Sequence, residues 1–98
     1  MEPKGIGPDT WVRRDPNRVS TRLGEEVILL DFPSDSYLKL NEVGARIWDL
    51  LEHPIRVQDL FETLLREYQV DSTQLEQDLH RFLREMLQRG LVHVVKNP

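Results

Sequence analysis

The sequence predicts a single α+β domain in which a three-stranded antiparallel sheet packs against a bundle of three helices. Three short apolar runs lie between residues 18 and 40, and apolar residues then recur every three or four positions through three longer segments. Strands followed by helices are typical of the α+β class. The chain has 98 residues, of which 39% are hydrophobic and 31% are charged. This length and composition suit one modest core.

The N-terminal residues 1–16 are expected to form a flexible arm, and residues 17–98 are expected to form the folded domain. The arm is rich in proline and glycine and poor in apolar side chains, so burial offsets little of the entropy that ordering would cost. Trp11 and Val12 are the exceptions. An isolated tryptophan in a polar tail usually docks in a surface groove, so these two residues are expected to attach the end of the arm to the domain.

The strands are predicted from short apolar patterns separated by turn residues. Apolar and polar side chains alternate over residues 19–23, which indicates a half-buried strand. Residues 27–30 are apolar throughout, which predicts a central strand covered on both faces. A turn at residues 33–36 leads to a third strand from Tyr37 to Leu40. The order predicts an antiparallel meander with its third strand at an edge.

Three helices are predicted after the meander. Asn41 is a suitable N-cap for the first, and residues 57–68 carry the clearest helical apolar stripe in the chain. Asp71 can cap the third helix, and Gly90 lies where a left-handed C-terminal cap belongs. Residues 91–95 are mostly β-branched, which predicts a short C-terminal strand that pairs back onto the sheet.

The sequence contains no recognisable catalytic or metal-binding constellation. It has no cysteine, no glycine-rich phosphate loop, and three histidines in three different elements. Glu76 and His80 are one helical turn apart, but no third ligand accompanies them, so a surface salt bridge is the favoured interpretation. The longest apolar run has four residues, which is far too short to span a membrane. We therefore expect no enzyme activity, no cofactor, no metal and no membrane contact, and a cytoplasmic location.

Three helices and a small sheet also describe a winged helix, so a DNA-binding transcriptional regulator is the alternative interpretation. Its third helix would enter the major groove, where it needs positive charge. The basic and acidic side chains of that helix cancel: Arg81, Arg84 and Arg89 against Glu76, Asp78 and Glu85. The whole chain has 13 basic and 17 acidic residues, a net charge of −4. The charge disfavours nucleic acid as a partner.

Two features suggest a binding surface, although each has a simpler explanation. The third strand is protected at its edge by Lys39 alone, so its backbone is open to a partner strand or is simply a short solvated edge. On the third helix, Asp78, Phe82 and Glu85 form one row. This row either lines a groove beside the strand or consists of a core phenylalanine between two ordinary surface acids.

The segment YLKLNEVGARIWDLL at residues 37–51, the "LL…Y" ending of the second helix, and the later "D…FL" and "GL" pairs resemble the PqqD-like family. The resemblance extends from about residue 18 to the end. It implies a recognition element for ribosomally synthesised peptides, which is a small non-catalytic domain that binds the leader segment of a precursor. In that family the leader adds as a strand beside the third strand and rests against the third helix.

The resemblance also implies which residues bind the leader. One set comes from the strand, which provides a ladder of backbone hydrogen bonds: Tyr37, Leu38, Lys39 and Leu40. The other set comes from the third helix: Asp78, Arg81, Phe82, Glu85 and Met86. An apolar or aromatic leader side chain is expected near Phe82. The acids would suit a leader that carries lysine or arginine.

The partners follow from the same resemblance. Residues 31–34 depart from the proline-glutamate step typical of members that serve pyrroloquinoline quinone synthesis, and residues 37–48 look closer to the stand-alone elements of lasso-peptide synthesis. The expected partners are therefore a lasso-peptide precursor and a separate leader peptidase. An open edge strand can also pair with its own copy, which would give an edge-strand homodimer.

Overall fold

The computed structural model describes residues 6–31 and 36–97. They form three helices and six strands, which confirms the α+β class. The elements, in chain order, are β1 (Trp11–Arg14), β2 (Ser20–Leu23), β3 (Glu26–Asp31), β4 (Ser36–Leu40), α1 (Glu42–Leu50), β5 (Ile55–Arg56), α2 (Val57–Glu67), α3 (Ser72–Gln88) and β6 (Val92–Val95).

The strands form two three-stranded antiparallel sheets, so the prediction of a single sheet on the helical bundle is wrong. The predicted meander is present as one sheet in the order β2-β3-β4. The second sheet has the order β5-β1-β6. This sheet combines β1 and β6, which are far apart in the sequence, with the two-residue strand β5 between α1 and α2. Pairing between such distant segments leaves no local pattern in the sequence. The likeness to a winged helix stays a prediction.

Strand β1 lies inside the segment that was expected to be a flexible arm, so the structure differs from that expectation. Val12 is fully buried, and the backbone N–H of Arg14 donates to the carbonyl of Leu51 at 2.8 Å. Pairing with strands on both sides and burial of Val12 together repay the cost of ordering. Residues 11–14 therefore belong to the folded domain, while residues 1–5 of the predicted arm lie outside the described residues.

The predicted C-terminal strand is present as β6, but it does not join the meander. It runs antiparallel to β1, with Val94 opposite Val12 and Val92 opposite Arg14. Gly90 adopts a φ of 72°, the left-handed conformation expected at a helix C-terminus. That turn directs the chain from α3 toward β1 rather than toward the meander.

The first and third helices are capped as the sequence predicts. The side chain of Asn41 accepts a hydrogen bond from the N–H of Gly44 at 2.9 Å at the start of α1. Asp71 accepts one from the N–H of Gln74, also at 2.9 Å, at the start of α3. Each cap satisfies a backbone donor that has no partner within its helix.

The core lies between the helices and the two sheets, and every helix contributes to it. Among the fully buried side chains are Trp48, Leu60, Leu64, Leu79 and Leu83. None of the helices in residues 6–31 and 36–97 is long and apolar enough to cross a membrane.

The meander is covered on one face only within the described part of the chain. Val27 and Leu29 of β3 are buried on the inner face, whereas Ile28 and Leu30 on the outer face are only half-buried. Their outer-face neighbours are exposed: Val19, Leu23 and Tyr37. The prediction that residues 27–30 are covered on both faces is therefore wrong for the described residues. The turn predicted at residues 33–36 lies largely outside them.

Candidate functional site

Strand β4 is an edge strand of the meander. It pairs with β3 on one side, and among residues 6–31 and 36–97 no strand pairs with its other side. It is also followed directly by Asn41, the cap of α1. The short connection places the start of α1 beside the free edge.

The register identifies which backbone groups face outward at this edge. The N–H of Leu30 in β3 donates to the carbonyl of Val19 beside β2 at 3.1 Å. Leu30 therefore directs its hydrogen bonds away from β4, because backbone groups alternate between the two sides of a strand. Tyr37 is the residue opposite Leu30, so its N–H and C=O point away from β3. The same is true of Lys39, two residues further along.

Beside the free edge, β4, α1 and α3 enclose a groove of about 610 Å³. We refer to it as the β4–α3 groove. Its lining comes from β4, the start of α1, and α3 with the residue Val70 before it. The residues are Leu38, Lys39, Leu40, Asn41, Val43, Gly44, Ile47, Val70, Gln74, Leu75, Asp78, Leu79, Arg81, Phe82, Glu85 and Met86.

Phe82 and Gly44 face each other across the floor of the groove. A Cβ atom placed on Gly44 would lie 3.5 Å from Cε1 of Phe82 and 3.3 Å from Cβ of Leu40. The missing side chain at Gly44 thus lets α1 approach both residues closely. Phe82 is half-buried and packs against the core, so one part of its ring remains available to a ligand.

The rim of the groove carries charges that are already paired. Asp78 accepts a hydrogen bond from Gln74 at 2.9 Å and forms a salt bridge with Arg81 at 3.1 Å. Glu85 forms a salt bridge with Arg89 at 3.2 Å. These side chains are at least about a third exposed, and such pairs contribute little to stability. A basic side chain of a ligand can therefore replace Arg81 beside Asp78, or Arg89 beside Glu85, at a small cost in free energy.

Lys39 lies opposite Ile28, so its side chain is on the outer face of the meander, where it forms a salt bridge with Glu26 at 3.3 Å and both side chains are well exposed. The charges on the rim therefore come from α3, where Asp78, Arg81 and Glu85 supply both signs. The rim favours oriented binding of a mixed or basic segment rather than attraction of a polyanion.

The structure brings eight of the nine predicted binding residues to this groove. Tyr37 is the exception: it does not line the groove, and its side chain is 73% exposed and lies, like that of Lys39, on the outer face of the meander. Its backbone nevertheless lies on the free edge. The role of all nine residues in binding stays a prediction.

The sequence-based selection missed the contribution of α1, namely Val43, Gly44 and Ile47. Val43 and Ile47 are one helical turn apart directly after β4, which was a signal that this face of α1 lies beside the strand. It was assigned to the core, and Ile47 is indeed buried. The same face of α1 contributes to both the groove wall and the core. The apolar pattern of the sequence cannot distinguish these two roles.

The groove is equipped for binding an extended chain. It offers outward backbone donors and acceptors on one wall, an apolar floor, and charged groups on the rim. Among the described residues, no histidine, serine or threonine lines it, and no three side chains of the metal-ligating types come together. This combination suits strand addition by a peptide.

Comparisons with known proteins agree with this geometry. A solved structure described as "TbiB1 in Complex with the TbiA(beta) Leader Peptide" is similar, with 33% sequence identity and a TM-score of 0.74 over 87% of this chain and 99% of that one. No curated protein matches the sequence. The family described as "Coenzyme PQQ synthesis protein D (PqqD)" matches residues 26–92, which run from the start of β3 to the start of β6 and include both walls of the groove. The chain therefore belongs to the PqqD family.

Proposed function

We propose that this protein is a non-catalytic binding module that recognises the leader segment of a ribosomally made precursor peptide and delivers it to a separate leader peptidase. The observation that carries the proposal is the free edge of β4 beside an apolar groove. The similar chain TbiB1 is in complex with a leader peptide, which supports the same use of this fold here.

The leader binds as a fourth strand of the meander. The outward N–H and C=O groups of Tyr37 and Lys39 supply up to four backbone hydrogen bonds, each with a net contribution of about 0.5–1.5 kcal/mol. These bonds hold any extended peptide and carry little sequence information. Specificity comes from side chains that point into the groove.

One apolar or aromatic side chain of the leader anchors the complex at Phe82. The half-buried ring, with Leu40 and Ile47 nearby in the lining, provides a surface that excludes water once it is covered. A buried anchor and several backbone bonds are sufficient for a dissociation constant near 1 μM, about −8 kcal/mol. Basic leader residues add contacts by displacing Arg81 from Asp78 or Arg89 from Glu85.

The precursor in this proposal is that of a lasso peptide. The support is the form of residues 37–48 and the departure at residues 31–34 from members that serve cofactor synthesis. In this proposal cleavage and ring closure are the work of separate enzymes, and the described lining of the groove supplies apolar, amide and charged groups for binding. A second copy of the chain can pair with the same free edge, and such a homodimer would compete with the leader.

The proposal is tested by a fluorescence-polarisation titration of the protein against the labelled leader of a precursor encoded beside it. A scrambled leader of the same composition and a labelled DNA duplex are the controls. We expect saturable binding of the native leader alone, with a dissociation constant of about 1 μM or below. Absence of leader binding, together with salt-sensitive binding of DNA, would overturn the proposal in favour of a DNA-binding transcriptional regulator.

A further inference from the structure

A second cleft, which we call the β1 cleft, lies between strand β1 and the end of α1. It has a volume of about 310 Å³ and shares no lining residue with the β4–α3 groove. Its lining is rich in arginine and includes one buried tryptophan: Arg13, Arg14, Asp15, Pro16, Arg18, Ser20, Trp48, Glu52 and His53.

Arg14 is held in place by two contacts with the same residue. Its guanidinium lies over the ring of Trp48, 5.2 Å from the ring centre, and its Nη1 donates to the carbonyl oxygen of Trp48 at 3.0 Å. Trp48 is 2% exposed, so the platform under the guanidinium is rigid. In the described part of the chain Arg14 has no carboxylate partner, and most of its donors remain free.

Arg13 lies next to it and is also without a carboxylate partner in that part of the chain. Its Nε donates to the backbone carbonyl oxygen of Arg14 at 3.3 Å, and both residues line the cleft although they are neighbours on a strand. The acid closest in sequence, Asp15, is engaged elsewhere, since it pairs with Arg18 at 3.3 Å and with His93 at 3.5 Å.

The pKa of Asp15 agrees with this engagement. It is lowered chiefly by the hydrogen bond from the N–H of Asn17, and also by His93 and Arg18. Asp15 is therefore ionised and already satisfied near neutral pH. Glu52 is exposed and forms no salt bridge with the described residues, so neither acid in the lining pairs with Arg13 or Arg14.

Within the described residues, four of the ten arginines have no carboxylate partner. The protein's 17 acidic residues outnumber the 13 basic ones, and most arginines have a carboxylate partner: Arg18, Arg22, Arg46, Arg56, Arg81 and Arg89. Arg66 and Arg84 share the property, but each is exposed on a helix and neither lines the β1 cleft. Only the β1 cleft combines two such groups with an aromatic platform among the residues described.

We propose that the β1 cleft binds the carboxylates of an acidic peptide segment carried by a second protein partner. A guanidinium presents paired donors that match a carboxylate, and the cleft has room for one or two such side chains. A nucleic acid fits poorly because its many phosphates would extend over the acidic remainder of the domain. Since the two clefts share no residue, an acidic partner and a leader can be bound at once, and this role goes beyond leader recognition.

The test is a polarisation titration of the full chain with a fluorescein-labelled peptide of six glutamates. The test variant is Arg13→Gln/Arg14→Gln, and its matched control is Arg66→Gln/Arg84→Gln, which removes the same charge from arginines that also lack carboxylate partners. We expect saturable binding by the unmodified protein, about tenfold weaker binding by the test variant, and a change of no more than about twofold in the control.

Three results would overturn the proposal. An equal loss in both double variants would show a response to net charge alone. Displacement of the peptide by an equal concentration of inorganic phosphate, with sodium chloride as the ionic-strength control, would assign the cleft to small oxyanions. Absence of saturation at concentrations up to about 1 mM would show that the β1 cleft does not bind the acidic peptide specifically.

Because Arg14 packs on Trp48, the double variant can lose stability. Arg13→Gln alone leaves that contact intact and is expected to weaken peptide binding by about threefold or more. Unchanged binding by a folded Arg13→Gln variant would contradict the proposal.

Discussion

Phe82 lies where α3, β4 and α1 meet on the floor of the β4–α3 groove. We expect Phe82→Ala to weaken leader binding by about tenfold or more, because the anchor surface is lost. The free energy of unfolding should fall by about 1–3 kcal/mol, since the ring is only half-buried. Polarisation titration measures the first effect and urea denaturation the second.

Phe61→Ala is the matched control for this variant. Phe61 is also half-buried and packs against the core, but it lies on α2 and does not line the groove. A similar loss of stability with unchanged leader affinity is expected. If both variants weaken leader binding equally, or if the folded Phe82→Ala variant binds the leader with unchanged affinity, Phe82 is not the anchor.

In the proposed complex, Asp78 and Glu85 set the charge preference of the groove. The double exchange Asp78→Lys/Glu85→Lys should weaken a basic leader by about three- to tenfold, because it replaces two attractive contacts with repulsion and frees Arg81. The effect should shrink at high salt. Glu76→Lys/Glu62→Lys makes the same charge change at exposed positions outside the groove and should leave affinity nearly unchanged. Tighter binding by the first variant would reverse the charge argument.

At the scale of elements, the free edge of β4 is the feature on which the proposed function depends. Lys39→Pro removes one outward N–H, yet it spares the ladder to β3 because that N–H faces away from it. We expect the protein to stay folded and leader binding to fall by about tenfold. Circular dichroism and polarisation titration report the two effects.

Two controls separate the backbone effect from others. Lys39→Ala removes the salt bridge with Glu26 but keeps the N–H, so affinity should change little. Ser20→Pro places the same ring on the opposite edge of the meander, in β2. Equal losses for Lys39→Ala and Lys39→Pro would show that the side chain, not the ladder, holds the leader.

At the scale of the whole molecule, β1 closes the second sheet between β5 and β6. A chain that begins at residue 17 lacks this strand and uncovers Leu51, Leu91 and Val92, all buried in the full chain. Burying each such side chain contributes about 1.5–3 kcal/mol, so we expect the truncated chain to be largely unfolded. A chain that begins at residue 6 should melt like the full protein. Equal melting temperatures for both truncations would show that β1 is dispensable.

Stability should also fall in acid. Hydrogen bonds from Arg46 hold the pKa of Glu67 below its ordinary value, and contacts with Asn17, His93 and Arg18 do the same for Asp15. A carboxyl whose pKa is lowered by folding stabilises the protein above its ordinary pKa of about 4, and this contribution is lost as the pH falls toward the lowered value. Urea midpoints at pH 7 and pH 3 measure the loss. Glu67→Gln should reduce it, and an unchanged difference would exclude this pair as a source.

The groove was partly predictable because its strand and helix have clear local patterns. Tyr37 to Leu40 and the row of Asp78, Phe82 and Glu85 were found from the periodicity and the resemblance. The contribution of α1 was not predicted, because Gly44 contributes by having no side chain. Its role is visible only in the folded structure, where a Cβ atom on Gly44 would lie 3.5 Å from Phe82 and 3.3 Å from Leu40.

The sequence by itself determined the class of the fold, the three helices with the caps Asn41 and Asp71, and the β2–β3–β4 meander, because each depends on interactions within a few residues or a short turn. Only the tertiary structure decided that the strands form two sheets and that residues 11–14 are part of the domain. Strand β1 pairs with partners more than 40 residues away, and contacts over such separations leave no periodic trace along the chain. The β1 cleft depends on the same long-range pairing, which is why it is visible only in the folded molecule.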